Sequence, residues 1–267
     1  MGSVPEQISV SPQRAVFKGL LFDMDGTIID STDAIVKHWH KLGEELGVDP
    51  NVILQTSHGR RSIDVLKVIS PKKANWDYVK YMEGLVPKEF GSDATEIPGA
   101  RSLLDSLIAA NHPWAIVTSG TSPLVSGWLD VLKLPTPEHL ITAEDVKDGK
   151  PNPTVLSESS SDCLSMAYPL YSKETNRFKV GYNMGKDRLN LSSAAEGEVL
   201  VLEDSPAGIR AGKSAGCKVL AVVTTHTAEQ VAEAGADWVV KDLRDVKLVG
   251  SGADGGVELE ISNVIMK

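Results

Sequence analysis

Apolar positions along the chain fall into two textures, short continuous blocks and helix-spaced stripes. The first block, Val16-Phe17-Lys18-Gly19-Leu20-Leu21-Phe22, runs directly into Asp-Met-Asp-Gly, the pattern of a buried strand ending in a polar loop. Ile35, Trp39, Leu42 and Leu46 then recur at helical spacing and predict an amphipathic helix over residues 33–47. The period stays helical to about residue 95, with no good strand. The turn Ile97-Pro98-Gly99-Ala100 opens another helix, with Leu103, Leu104 and Leu107 on one side.

After residue 112 the short blocks return and alternate with helical stretches. Strands are predicted over 114–118, 139–142, 199–202, 217–223 and 237–240, and helices over 122–133, 206–215 and 227–235. Such alternation builds parallel β-α units, so the fold class is α/β with a doubly wound, Rossmann-like parallel sheet. Catalytic loops then belong beyond the carboxyl ends of the strands. Residues 31–96 interrupt the pattern after its first strand and carry helices only. They read as an inserted helical cap, with 16–30 and 97–267 as the core and 1–15 as a disordered leader.

Composition narrows the function. A chain of 267 residues with 42% hydrophobic and 24% charged side chains can bury a sizeable core in one or two domains. Its formal charge of −9 gives no footprint for nucleic acid or an anionic membrane. An anionic ligand must therefore be held locally, by a metal, a lysine and backbone N–H groups. Cys163 and Cys217 are too few for a disulfide framework and lack C-x-x-C spacing. No apolar run is long enough to span a bilayer, and Met1–Arg14 has no apolar signal region. Glu6 stands where a myristoylation pattern wants Ser or Thr. The expected setting is a cytoplasmic monomer acting on a small metabolite.

Four polar clusters sit at predicted strand ends. In Asp23-Met24-Asp25-Gly26-Thr27 two carboxylates at i, i+2 project to one side, offering a nucleophile or metal ligand beside a general acid/base. A solvated acidic turn would explain that motif taken alone. Thr118-Ser119-Gly120 presents a hydroxyl and N–H groups at the same edge. Lys150, locked between Gly149 and Pro151, can hold a phosphoryl group as a point charge, although an exposed loop lysine reads the same way. Glu203-Asp204-Ser205-Pro206 can complete an oxygen-rich Mg²⁺ site, and its Ser-Pro pair is also a good helix start.

Taken together and in this order, the clusters resemble the haloacid dehalogenase superfamily of aspartyl phosphotransferases, and the inserted helices resemble that family's first-type cap. The resemblance implies a Mg²⁺-dependent phosphatase. Asp23 would attack phosphorus, and Asp25 would protonate the leaving oxygen and then activate water. Thr118 and Lys150 would hold the phosphoryl oxygens, with Ser119 and Gly120 beside them. Asp23, the Asp25 carbonyl and Asp204 would ligate the metal, with Glu203 in support. The cap segment Ser57-His58-Gly59-Arg60-Arg61-Ser62 resembles fungal glycerol-3-phosphatases and 2-deoxyglucose-6-phosphatases, as does the run from Tyr78 to Ala100, where Leu85 replaces an expected acid. His58 and Arg61 are thereby candidate substrate-binding residues, and a solvated cap surface is their alternative reading. Glycerol 3-phosphate is the first substrate expected. A 2-deoxyhexose phosphate, a β-phosphoglucomutase-like mutase and a non-catalytic phosphate-binding regulator are the alternatives.

Residues 154–180 depart from the family pattern. They are Ser-rich, without sustained period, and separate Pro153 from Tyr182-Asn183-Met184-Gly185-Lys186, which resembles the family's continuation. They read as a disordered insertion, translated intron sequence being one origin, that separates Lys150 from the helix expected to anchor it.

Overall fold

The computed structural model describes residues 11–57, 60–146, 180–252 and 254–265. Its first two strands are β1 (Gln13–Phe17) and β2 (Gly19–Phe22). The sequence pattern reads 16–22 as one strand, and the structure divides it at Lys18. That residue's N–H donates to Glu198 O at 2.7 Å, and its ammonium meets the Glu198 carboxylate at 2.7 Å. β1 alternates in exposure and joins an outlying antiparallel sheet, whereas all four residues of β2 are buried at the centre of the molecule.

The chain leaves the core through β3 (Ile29–Asp30), forms the cap with α1 (Thr32–Leu46), α2 (Pro50–Ser57), α3 (Ser62–Ile69) and α4 (Trp76–Phe90), and returns through β4 (Thr95–Glu96). β3 and β4 pair antiparallel, so the two crossings between cap and core run side by side. A private core of Trp39, Leu42, Ile53, Leu66, Val79 and Met82 holds the four helices together. Burying side chains of this size is worth roughly 1.5–3 kcal/mol each, which gives the cap cohesion of its own.

The rest of the described chain runs α5 (Ala100–Ala109), β5 (Trp114–Val117), α6 (Ser122–Leu132), β6 (Leu140–Ile141), α7 (Val180–Arg188), β7 (Val199–Glu203), α8 (Pro206–Ser214), β8 (Lys218–Val222), α9 (Ala228–Glu233) and β9 (Trp238–Val240). The six-stranded sheet has the order β6-β5-β2-β7-β8-β9 and is parallel throughout. Alternate residues feed opposite faces. Leu20, Phe22, Ile116, Leu202 and Leu220 belong to one apolar cluster, and Leu21, Ala115, Val117, Val201 and Val219 to the other. A sheet buried on both faces explains why its strands read as continuous apolar runs. β10 (Val246–Ser251) and β11 (Val257–Ile261) complete the small antiparallel sheet in the order β1-β11-β10.

This topology fixes the site. The chain leaves β2 toward β5 on one side and later returns to β7 on the other, so the strand order reverses at β2. Ligands in open α/β sheets bind beyond the strand ends at such a switch point. Among the described residues no helix is long and apolar enough to cross a membrane.

Candidate active site

The acidic centre follows from the register of β2 and β7. Phe22 pairs with Leu202, and Asp23 N–H donates to Leu202 O at 3.0 Å, so Asp23 emerges beside Glu203 and Asp204. Oxygens of the three buried carboxylates come within 4.8 Å of one another. After Asp23 the chain folds back, with the N–H groups of Thr27, Ile28 and Ile29 all donating to Met24 O. Gly26 is required in this turn. Its φ is +89°, and a Cβ there would lie 2.3 Å from Asp204 Oδ2. The half-buried Asp25 accepts from Ser31 Oγ at 2.6 Å, at the mouth of the cap.

Glu203 is held from several directions. Tyr182 OH donates to Oε1 at 2.8 Å, while Asp204 N, Ser205 N and Ser205 Oγ each donate to Oε2 at 3.0 Å. Burial, and then the nearby Glu203 carboxylate, push the Tyr182 phenol well above its ordinary value and keep it protonated as a donor. Gly208 gives the carboxylate room, since a Cβ there would fall 1.5 Å from Glu203 Oε1. Asp204 is oriented by Thr27 Oγ1, 3.5 Å from Oδ1, and by Thr225 Oγ1 on Oδ2.

On the neighbouring strand end Thr118 Oγ1 accepts from Gly120 N at 3.0 Å, which leaves its own O–H as a donor. Thr118, Ser119 and Gly120 line a cavity of about 240 Å³ that also takes in Asp23, Asp25 and Asp204. The cap closes it with Ile35, Trp39 and Leu54 as apolar wall, and with Arg60, Ser62 and Glu83 as polar groups.

Two cap residues depart from the sequence expectation. Arg61 is buried but is not among the cavity-lining residues. Its Nε donates to Asp64 Oδ2 at 2.8 Å and its Nη1 to Ala143 O at 3.3 Å and to Val146 O, while the guanidinium lies over the Trp76 ring. Burial alone would raise the Asp64 carboxyl, but hydrogen bonds from Arg61 and Lys67 outweigh it and hold the group below the ordinary range. Arg61 therefore ties cap to core, and its neighbour Arg60 faces the cavity. Glu83 is the second, a residue that the sequence reading does not single out. It lies two residues before Leu85, and its carboxylate accepts from Ser62 Oγ and from Thr121 N at 2.7 Å. Burial pushes it up to about 7, hydrogen bonding from Ser62 and Thr121 pulls the other way, and the Asp25 charge adds to the rise. His58 and Lys150 lie outside the described residues, as do 154–179; Val180, the last residue of the expected insertion, starts α7.

Sequence reading also passes over Tyr182 as a partner of Glu203, and over Thr225. For Thr225 a signal exists, because Val223-Thr224-Thr225 ends a strand at the same sheet edge as the other clusters. The acidic cluster fits a hard cation. Three buried carboxylates at this separation repel one another, and oxygen donors of this kind suit Mg²⁺.

Comparison with known proteins agrees with this geometry. The family model of haloacid dehalogenase-like hydrolases matches residues 20–162. The chain belongs to the haloacid dehalogenase-like hydrolases. This hydrolase is 33% identical over 243 residues to glycerol-1-phosphate phosphohydrolase 1 of Saccharomyces cerevisiae, covering 90% of this chain and 88% of the relative. It is 32% identical over 259 residues to 2-deoxyglucose-6-phosphate phosphatase 1 of the same yeast, covering 92% and 96%. A solved hydrolase from Pseudomonas syringae matches with a TM-score of 0.63 at 20% identity, over 85% of this chain and 94% of that one, a likeness of fold. The hydrolase is an enzyme of the family's phosphatase kind.

Proposed function

We propose that this chain hydrolyses phosphate monoesters of small neutral polyols or sugars, glycerol phosphate first, through a phosphoryl group carried on Asp23. The observation that carries the reading is the shared opening of Asp23, Asp25, Thr118 and Asp204 into one cavity roofed by the cap. Asp23 forms a bond to phosphorus as the bond to the leaving oxygen breaks, and Asp25 gives that oxygen its proton. Water, deprotonated by Asp25, then displaces Asp23 from phosphorus, and inorganic phosphate leaves. The Thr118 hydroxyl holds a phosphoryl oxygen, with Ser119, Gly120 and Lys150 as its companions.

Asp23, Asp204 and the Asp25 carbonyl would hold Mg²⁺, and Glu203, which already accepts four hydrogen bonds, would brace them from behind. When bound, the ion neutralises charge on the transferring phosphoryl oxygens. Glycerol phosphate rests on the likeness to the yeast phosphohydrolase and on the cap segment around Arg60 and Arg61. A 2-deoxyhexose 6-phosphate is the second reading, favoured by the likeness to the other yeast phosphatase.

The layout we propose is a core of 16–30 and 97–267, a cap of 31–96 and an insertion within 154–180, in a cytoplasmic monomer. Deleting 154–179 should preserve or raise activity, and loss of activity on deletion would contradict the insertion. The function is tested by phosphate release from p-nitrophenyl phosphate and a panel of phosphorylated metabolites, with Mg²⁺ and then with EDTA. Mg²⁺-dependent release, highest for small polyol and sugar phosphates, is expected. Binding without release from any ester would contradict the reading.

A further inference from the structure

We infer that Glu83 selects the leaving group. Presented by the cap into the cavity, its carboxylate accepts hydrogen bonds from hydroxyls of a neutral leaving group and repels one that carries a second anionic group. This rests on the phosphatase reading above and adds a rule for substrate choice.

The geometry begins with helix α4. Glu83 is only 4% exposed, yet it lines the cavity. Among the described residues its hydrogen-bond donors are Ser62 Oγ on one oxygen and Thr121 N on the other. Each carboxylate oxygen can accept two hydrogen bonds, so the group keeps acceptor capacity that its partners among the described residues do not fill. A buried carboxylate with unused capacity is costly to keep, and substrate hydroxyls would supply the missing donors. Thr121 also locates the group. It precedes α6 and directly follows Thr118-Ser119-Gly120, so the cap carboxylate ends beside the expected phosphoryl-binding loop.

Charge then sets the discrimination. Asp25 lines the same cavity, and as the proposed acid it is protonated when the ester binds, so the charge facing the leaving group is that of Glu83. A leaving group bearing a carboxylate or second phosphate would meet the buried Glu83 carboxylate, where like-charge contacts are weakly screened. The opposing influence is Arg60, the one cation among the described lining residues. If Arg60 governs the leaving group, anionic esters are preferred instead. The two possibilities differ in sign.

The test compares two neutral-leaving-group esters, glycerol 3-phosphate and 2-deoxyglucose 6-phosphate, with two anionic ones, 2-phosphoglycolate and 3-phosphoglycerate, at pH 8. Two readouts are taken: kcat/KM with Mg²⁺, and calorimetric affinity on an Asp23→Asn background, which needs no turnover. The wild type should favour the neutral esters in both. Glu83→Gln should shrink the neutral-to-anionic ratio by about tenfold or more, and Glu83→Asp, which keeps the charge, should largely retain it. Equal affinity for the two classes in a chain with native Glu83 would overturn the proposal, even if Glu83→Gln failed to fold. So would an equal loss on all four esters, the mark of a purely structural role, or a ratio that moves with Arg60→Gln and not with Glu83→Gln. Failure of the phosphatase reading looks different: no ester is turned over, while the affinity ratio can still be read.

Discussion

The Tyr182 hydroxyl donates to Glu203 Oε1 at 2.8 Å, and through that bond helix α7 braces the acidic end of β7. Tyr182 is the third residue past the segment 147–179 that separates α7 from Val146, so the first turn of the returning helix supports the acidic edge. Gly185 one turn later sits close to Leu21 and Val117, which brings α7 tightly onto the sheet beneath Asp23 and Thr118.

Tyr182→Phe removes the donor and leaves a buried carboxylate oxygen short of a partner. The expected cost is about 1–3 kcal/mol of stability, read by denaturant titration. Because Glu203 braces the proposed metal ligands, the Mg²⁺ concentration for half-maximal activity should also rise by about tenfold or more. A stability loss with unchanged Mg²⁺ dependence would show that Glu203 does not act on the metal site.

Arg61 and Arg60 are adjacent in sequence and should separate in effect. Arg61→Ala strips hydrogen bonds from the buried Asp64 carboxylate and from the carbonyls of Ala143 and Val146. Breaking a buried ion pair from one side costs about 3–5 kcal/mol, so a marked drop in melting temperature is expected. Arg61→Lys should not restore it, because an ammonium cannot reproduce the fork. Arg60→Ala should raise KM for phosphate esters with a smaller thermal effect. If Arg61→Ala melts like the wild type and only KM changes, Arg61 is a substrate ligand after all.

Glu83 makes stability depend on pH in a predictable direction. Its folded value of about 7 lies above the ordinary 4.5, so the folded chain holds this proton more tightly than the unfolded chain. Its contribution is fully present below pH 4.5 and is lost as pH rises toward 7, by an amount on the order of 3 kcal/mol. His38, pushed down to about 4 mainly by burial, works oppositely and loses stability as pH falls from 6.5. The His38 effect is common to wild type and Glu83→Gln and cancels in their difference. The melting temperature of Glu83→Gln minus that of wild type should therefore climb between pH 4.5 and 7. A difference that stays flat would contradict a buried, proton-retaining Glu83.

Much of the fold is legible in sequence because the central strands are buried on both faces. Val199–Leu202 and Trp114–Val117 are uniformly apolar, and each ends in a polar cluster at the same sheet edge. The division at Lys18 is not legible, because Val16-Phe17 and Leu20-Leu21-Phe22 are equally apolar and only pairing with β11 draws β1 away. β11 carries a strand signal that the reading passes over. Val257, Leu259 and Ile261 alternate with Glu258 and Glu260, and the structure buries the former. Asp23, Asp25, Thr118 and Asp204 could be found because strand ends announce them. Glu83 and Arg60 could not, since the seating of a cap helix over the core depends on contacts such as Glu83 with Thr121 that no local pattern encodes.

The central claim is that Asp23 carries the phosphoryl group. The direct measurement is rapid acid quench of the enzyme turning over ³²P-labelled glycerol 3-phosphate with Mg²⁺, followed by mapping of protein-bound label. Label on the peptide containing Asp23 is predicted, together with its absence, and the absence of phosphate release, in a folded Asp23→Asn variant. Phosphate release by Asp23→Asn at a rate near wild type, or label mapped to another residue, would contradict it.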